Sequence, residues 1–275
     1  MKICMNLMGG YGNILFQFMY GYSVARKNKA QISFICNEQK RKNALEYKSI
    51  SGFNISNSVN YGYIKMNELN HYYDEYMFDP SKNYIITGYY QSYKYSKKYF
   101  NEIKQIIFNN LSDKIEKIES IYDSIKKDNK TTITLHIRRT DYIDFKDIHY
   151  VVRNDEWYES GIKLLLTKLN LNKDDIKLVL FSDDVKYLEN MKLVKEYDSI
   201  IAEEYELDIE ETFLLMSQSD HFIIPNSTYS LMAYYFRKNN NANIVIPSKW
   251  FGEKGPKYKM EDIIEITENV IIHNV

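Results

Sequence analysis

Short apolar runs alternate with amphipathic stretches along nearly the whole chain, which is the pattern of an α/β fold. Residues 2–8 predict a strand that runs into a glycine-rich turn. The next stretch, 13–27, sets Leu15, Phe16, Met19, Tyr20 and Ser23 near one helical face, and 31–36 predicts a second strand. This β-turn-α-β opening is of the Rossmann type. Between 39 and 79 the chain is polar, rich in Asn and Tyr and weakly periodic, so only short elements are expected. Strand character resumes at 84–89, and helices are predicted at 99–108 and 113–127. The charged, turn-prone run Lys126-Lys127-Asp128-Asn129-Lys130 predicts the boundary between two halves. Beyond it the alternation is cleaner: strands at 131–137, 176–181, 221–224 and 243–246, and helices at 155–169, 210–217 and 230–238. The expectation is two Rossmann-type domains, 1–128 and 129–275, facing across a cleft, with the C-terminal tail packing back.

Net charge is −1 with 27% charged residues, so no global field steers nucleic acid or anionic membrane to the protein, and any anion site must be local. Four prolines and 44% hydrophobic residues argue against extended disorder. Cys4 and Cys36 each lie in an apolar run and read as buried free thiols in a reducing compartment. No CxxC or zinc-type Cys/His cluster occurs. Asn6 and Gly9-Gly10 interrupt the N-terminal apolar run, so neither a signal peptide nor a membrane span is expected, and a cytoplasmic location is the default.

Candidate chemistry gathers at four turns, each at the carboxyl end of a predicted strand, where open α/β sheets bind ligands. In Met8-Gly9-Gly10-Tyr11-Gly12-Asn13 the glycines allow close backbone approach and the helix start offers free N–H groups, but Leu15 occupies the third glycine position of a dinucleotide fingerprint. A tight structural turn explains these residues equally well. The second turn is Leu135-His136-Ile137-Arg138-Arg139-Thr140-Asp141-Tyr142. Strand alternation puts Thr132, Thr134, His136 and Arg138 on one face and Ile133, Leu135 and Ile137 on the other, so the two arginines diverge. Their forks match phosphate oxygens; the bland alternative is surface ion pairing with Asp141 and Asp144. His136 suits a core residue as well as a ligand contact. At Phe181-Ser182-Asp183-Asp184 one carboxylate can cap the next helix while the other accepts from a ribose or a guanine edge. A metal there lacks a third carboxylate at fixed spacing. In Asn226-Ser227-Thr228-Tyr229-Ser230 the hydroxyls read as N-caps or as phosphate ligands.

Together these residues resemble the α-1,2-fucosyltransferases of glycosyltransferase family 11. Gly9 to Gln17 is similar to the family's G-G-L-G-N-Q-L-F-Q, and Gly88-Tyr89-Tyr90-Gln91-Ser92-Tyr93-Lys94-Tyr95 to its G-Y-F-Q-S-x-K-Y-F. His136 to Tyr142 keeps H-x-R-R-x-D-Y, the most specific motif, shared with α-1,6 and protein O-fucosyltransferases. Phe181–Asp184 is similar to F-S-D-D, and Asn226 to Ser230 to N-S-T-F-S. Three positions depart: Ile14 replaces the Gln after G-N, Leu231-Met232 replaces Trp-Trp, and Thr140 replaces a glycine.

The resemblance implies a GT-B-like fold and inverting transfer of L-fucose from GDP-fucose to a sugar hydroxyl, O2 of a terminal galactoside, without a metal or other cofactor. Arg138 is assigned to the diphosphate, with Arg139 helping or bracing the loop through Asp141. His136 contacts the nucleotide or orients Arg138; Asp183 or Asp184 takes the guanosine; Asn226, Ser227 and Thr228 cradle the phosphates. Gly10, Gly12, Asn13 and Gln91 belong to the acceptor-side half, near fucose, acceptor or diphosphate. For the general base, Asp144 and Asp147 follow the signature, Asp141 is an alternative, and Lys146 stands where the α-1,6 relatives carry a glutamate. Glu38 sits near the acidic position of an NAD-type reading, which leaves the arginines unexplained. Other readings are a transferase using a different nucleotide-sugar and a non-catalytic nucleotide- or glycan-binding protein. The expected partners are GDP-fucose and a galactoside-terminated glycan, lipid-linked in some relatives, with no nucleic acid. Membrane contact, at the cytoplasmic face, is at most peripheral. Trp250-Phe251 and the lysines of the tail are expected to pack back rather than touch a membrane.

Overall fold

The computed structural model describes residues 1–36, 46–56, 62–145 and 153–274; Glu38, Lys146 and Asp147 lie outside these segments. The chain forms two compact units. The first comprises Met1–Asp113 with Pro256–Glu265, the second Lys114–Gly255 with Ile266–Val275.

In the first unit, β1 (Lys2–Asn6) leads through the glycine turn into α1 (Tyr11–Asn28) and then β2 (Gln31–Ile35). The short β3 (Ile55–Ser56), β4 (Tyr63–Asn67), β5 (Asn83–Thr87) and α2 (Phe100–Asn110) follow. The five strands are parallel in the order β3-β2-β1-β5-β4. Almost every residue of α1 from Tyr11 to Ala25 is buried, so this helix belongs to the core rather than lying on it. Phe18 packs on Phe34 of β2 at 5.3 Å between ring centres and on Phe53 at 5.0 Å. The weakly periodic stretch thus contributes two edge strands.

The second unit contains α3 (Ser112–Ile125), β6 (Thr131–Ile137), the one-turn α4 (Thr140–Asp144), α5 (Asp155–Leu169) and β7 (Ile176–Ser182). After these come α6 (Val185–Asn190), α7 (Lys192–Glu196), β8 (Ser199–Ile201), α8 (Ile209–Gln218), β9 (His221–Ile223), α9 (Thr228–Tyr235) and β10 (Ile244–Pro247). The chain then contributes α10 (Met260–Ile263) to the first unit and returns as β11 (Val270–His273). Its six parallel strands run β11-β10-β9-β6-β7-β8. Ile133, Leu135 and Ile137 of β6 join Trp157, Tyr158, Ile162 and Leu165 of α5 in one buried cluster. Thr132 and Thr134 bond toward the opposite layer, to Asp220 and Ser219.

The division falls between Asp113 and Lys114, not at 128/129. Helix α3 goes with the second unit because its partners are there: Tyr122 Oη and Thr132 Oγ1 are 2.7 Å apart, and Lys114 and Lys117 pair with Glu210 and Glu211. Segment 256–265 is held in the first unit by Asp262, which pairs with Lys94 at 2.5 Å and accepts the Tyr73 N–H at 3.0 Å. Trp250 is buried in the second unit, so its ring packs inward. Leu231 and Met232, at the Trp-Trp positions, are fully buried in α9. Among the described residues no helix is long and apolar enough to cross a membrane.

Candidate active site

Each sheet has a topological switch point, where the strand order reverses and a crevice opens at the carboxyl ends. In the second unit it lies between β6 and β9, and the predicted arginine turn and the Asn-Ser-Thr turn leave these two strands side by side. In the first unit it lies between β1 and β5, whose ends carry the glycine turn and the Gly88–Gln91 turn.

His136, the last polar residue of β6, is buried and bridges the second crevice: its Nδ1 lies 2.8 Å from Ser230 Oγ of α9. Tyr158 Oη donates to the His136 carbonyl and Tyr142 Oη to the Asn226 carbonyl, at 3.1 and 2.9 Å. Burial first, and the Arg138 charge second, push the imidazole down to about 3 against the opposing pull of Asp183. His136 is therefore neutral near neutral pH and ties the strand end to α9. Because its folded value lies below the ordinary 6.5, the unfolded chain binds the extra proton. Stability should fall as pH drops from 6.5 toward 3, at up to about 1.4 kcal/mol per pH unit from this group. Denaturant unfolding of His136→Gln between pH 7 and 4.5 should show a shallower pH dependence than the wild type.

The arginines do diverge, and the expected ion pair with Asp141 is made, but by Arg138 rather than Arg139. Arg138 reaches Asp141 through Nη2 at 2.6 Å and Asp183 through Nη1 at 2.9 Å, whereas Arg139 lies 3.5 Å from Asp184 and stacks 3.5 Å above the Tyr187 ring. The expected Arg139–Asp141 brace is replaced because α4 starts at Thr140: the turn of the chain carries Asp141 beside Arg138, three residues back.

Asp183 accepts the Arg139 N–H at 2.9 Å and the Thr140 hydroxyl, besides the Arg138 ion pair. It stitches β7 to the arginine turn and is not the free acceptor expected for a ribose or guanine edge. Asp184 caps α6 through the Tyr187 N–H at 3.1 Å. Asp144 ends α4 in an exposed position.

Asn226 is buried and spends its Nδ2 on the Trp250 carbonyl at 2.7 Å, which anchors the tail beside the turn; its buried Oδ1 has no hydrogen-bond partner among the described residues. Arg153, also buried, holds the adjacent Lys249 carbonyl at 2.8 Å. Ser227 takes the N-cap position of α9 without a side-chain cap hydrogen bond, which leaves the helix start suited to an anion. Thr228 opens that helix and is half-buried.

In the first unit Gly9 has φ +84°, and a Cβ there would meet Asn13 Nδ2 at 2.8 Å. Gly10 caps α1 with extended backbone, and Gly12 is buried in its first turn. Gln17 locks the turn by accepting the Met8 N–H at 2.8 Å and donating to the Met8 carbonyl at 3.0 Å. Across the crevice Gln91 Nε2 donates to Asn13 Oδ1 at 2.9 Å, while the buried Gln91 Oε1 has no hydrogen-bond partner among the described residues. The structure thus gathers the predicted residues at two crevices, one per unit. Sequence reasoning missed Gln17, Glu68, Arg153 and Tyr158; only Gln17 carried a signal, its place in the glycine motif.

Two Rossmann-type units, one with paired arginines and a helix start at its switch point, define a glycosyltransferase of the GT-B-like class. The sequence profile of glycosyl transferase family 11 matches residues 15–266, and the chain belongs to that family. It is 32% identical over 155 residues to the O-antigen biosynthesis glycosyltransferase WbnK of Escherichia coli, a match covering 53% of this chain and 48% of WbnK. The matched region thus spans about half the length of that relative. Among solved structures, fucosyltransferase NodZ from Bradyrhizobium aligns with a TM-score of 0.55 at 14% identity, over 86% of this chain and 93% of NodZ. NodZ has also been solved soaked with GDP-fucose. The FUT1 R284K mutant of Arabidopsis thaliana in complex with GDP aligns with a TM-score of 0.52 at 11% identity, over 88% of this chain and 69% of FUT1. At these identities the likeness is one of fold.

Proposed function

We propose that the chain is an inverting fucosyltransferase that moves L-fucose from GDP-β-L-fucose to O2 of a terminal galactoside, in α-1,2 linkage, during surface-glycan assembly. The observation that carries this reading is the meeting of the arginine turn and the Asn-Ser-Thr turn at one switch point. Family membership, the H-x-R-R-x-D-Y resemblance, the NodZ structure soaked with GDP-fucose and the O-antigen biosynthesis in WbnK's name support it.

Breaking the C1–O bond leaves an oxocarbenium-like sugar and a diphosphate of growing negative charge. Arg138, the start of α9 and the hydroxyls of Ser227 and Thr228 are the groups assigned to meet that charge. Arg139 braces the turn through Asp184 and Tyr187, and Asp141 orients Arg138. Metal independence is part of the proposal: the acidic pair is engaged by arginines, backbone N–H groups and a helix cap, and cationic side chains can supply the neutralisation. The acceptor glycan binds at the crevice of the first unit, beside the hydrogen-bonded Asn13–Gln91 pair. A second reading, another nucleotide-sugar donor, draws on Asp183, whose engagement removes the acceptor expected for guanine.

The test is nucleotide release from GDP-fucose, GDP-mannose and UDP-galactose, with and without lactose or N-acetyllactosamine, and with EDTA in parallel. Consumption of GDP-fucose, unchanged by EDTA, with an α-1,2 product by NMR, is expected. Failure to consume GDP-fucose overturns the donor assignment, and loss of turnover in EDTA that added metal restores overturns metal independence.

A further inference from the structure

The turn that follows β5 gives its two tyrosines different places. Tyr90, held at φ +48°, is fully buried and stacks on Tyr20 of α1 at 3.8 Å between ring centres, with Tyr76 and Tyr95 in edge-to-face contact. Tyr89 is only half-buried. Its ring lies across the glycine turn after β1: a Cβ at Gly9 would lie 3.3 Å from Tyr89 Cε1 and 2.8 Å from Asn13 Nδ2, so the ring edge and the amide flank one glycine. Glu68 follows β4 directly, reaches over the end of the neighbouring β5 and fixes the backbone of the tyrosine pair. Its Oε2 accepts the Tyr89 N–H at 2.7 Å and its Oε1 the Tyr90 N–H at 2.9 Å.

Tyr90 supplies the core contact of this turn. Tyr89 adds an aromatic surface at the carboxyl ends of β1 and β5, the first crevice, where open α/β sheets take their ligands. His71 lies alongside, at 6.3 Å between ring centres and inclined by 30°. Burial pushes its imidazole below the ordinary value, so near neutral pH it brings no charge to the ring. On the same turn stand the Asn13–Gln91 hydrogen bond and the buried Gln91 Oε1, which has no hydrogen-bond partner among the described residues. An aromatic face with a few placed amides suits a neutral, polyhydroxylated ligand. The electron-rich face of the ring attracts C–H groups, and the amides can meet hydroxyls.

We propose that Tyr89 is the platform on which the terminal galactose of the acceptor stacks, and that this contact selects galactose over its C4 epimer, glucose. The inference rests on acceptor binding at the first unit, and it uses residues of that unit alone. In β-galactose the axial O4 occupies one face of the sugar and leaves the hydrogens of C3, C4 and C5 together on the other. In glucose the C4 hydrogen points away from those of C3 and C5, so the apolar patch is broken. Laying the intact patch on an aromatic face removes apolar surface from water and meets the ring with C–H edges; a glucose in the same pose loses part of that contact. Tyr89 is a specificity-determining residue and moves no proton. Its pose is set by the backbone contact to Glu68 and by the absence of a side chain at Gly9.

The experiment compares wild type, Tyr89→Phe and Tyr89→Ala in the full chain, with lactose and cellobiose, which differ only in configuration at C4 of the terminal sugar. Transfer from GDP-fucose gives kcat and KM for each disaccharide, and saturation-transfer NMR with GDP present shows which lactose protons touch the protein. Wild type should prefer lactose, with the strongest saturation on H3, H4 and H5 of its galactose. Tyr89→Ala should raise KM for lactose about tenfold, change kcat less, and narrow the preference over cellobiose. Tyr89→Phe keeps the ring and should keep both the KM and the preference. A lactose KM in Tyr89→Ala within about threefold of wild type, with the preference intact, overturns the assignment. So does saturation spread evenly over lactose or centred on its glucose, which decides the matter even if Tyr89→Ala fails to fold. If GDP-fucose is not consumed, the donor reading fails and the lactose protons alone judge Tyr89. If GDP-fucose is hydrolysed but lactose is neither bound nor used, the galactoside reading fails and the platform with it.

Discussion

Replacing Arg138 by lysine should lower kcat for fucosyl transfer by about 10²–10³-fold, roughly 3–4 kcal/mol of transition-state stabilisation, with little change in thermal unfolding. The guanidinium already bridges Asp141 and Asp183 through two different nitrogens, and its planar fork can present further donors to a diphosphate from that fixed pose. A lysine ammonium is a single point charge that cannot span both carboxylates and keep the geometry. The stability cost stays small because the side chains of Arg138 and Asp141 are 31% and 44% exposed, and ion pairs of that exposure contribute about 0–1 kcal/mol. Arg139→Lys should act differently. It removes the stacking on Tyr187 and loosens the turn, so it should raise KM for GDP-fucose more than it lowers kcat. Near-normal kcat in Arg138→Lys, measured with saturating donor, would sink the assignment of Arg138 to the developing charge.

Much of this arrangement was legible in the sequence because two strong regularities carried it. Strand alternation along β6 put His136 and the threonines on one layer and Ile133, Leu135 and Ile137 on the other, as the structure has them. The parallel α/β alternation located the strand ends, but not the strand order that makes two of those junctions switch points. Partners set by tertiary approach were not legible. Whether Asp141 meets Arg138 or Arg139 depends on where a one-turn helix starts, and the role of Asp183 depends on β7 lying against β6. Asn226 read as a phosphate ligand because its bond to the Trp250 carbonyl joins residues 24 apart in sequence. Glu68 was invisible for a different reason. It lies in the polar, aperiodic stretch that pattern reading could not divide, and its partners are backbone N–H groups, which leave no trace in composition.

The motif glycine at 88 gains a specific meaning from that contact, and Gly88→Ala should be the most damaging small substitution in the first unit. A Cβ at this position would lie 2.3 Å from Glu68 Cβ, 2.8 Å from Tyr90 Cε2 and 2.9 Å from Glu68 Oε2, at a φ of +158°. The first of these atoms is tied directly to the β4 backbone, so rotamer adjustment cannot relieve the clash. Either the turn opens or β4 shifts away from β5. Overpacking of about 1–3 kcal/mol adds to backbone strain of about 1–3 kcal/mol, a large part of the total stability of an ordinary domain. The apparent unfolding temperature should fall by about 4–24 °C, and the Tyr20–Tyr90 stack at 3.8 Å should be disturbed, detectable as lost near-ultraviolet circular dichroism. Glu68→Gly removes the clashing atom, so the double variant with Gly88→Ala should be less destabilised than the sum of the two single variants. Simple additivity, or an unfolding temperature for Gly88→Ala within 2 °C of wild type (a shift of about 1 kcal/mol or less), would mean that β4 and β5 do not approach as closely as 2.3 Å requires, and Glu68 would lose the contact that fixes it over the crevice.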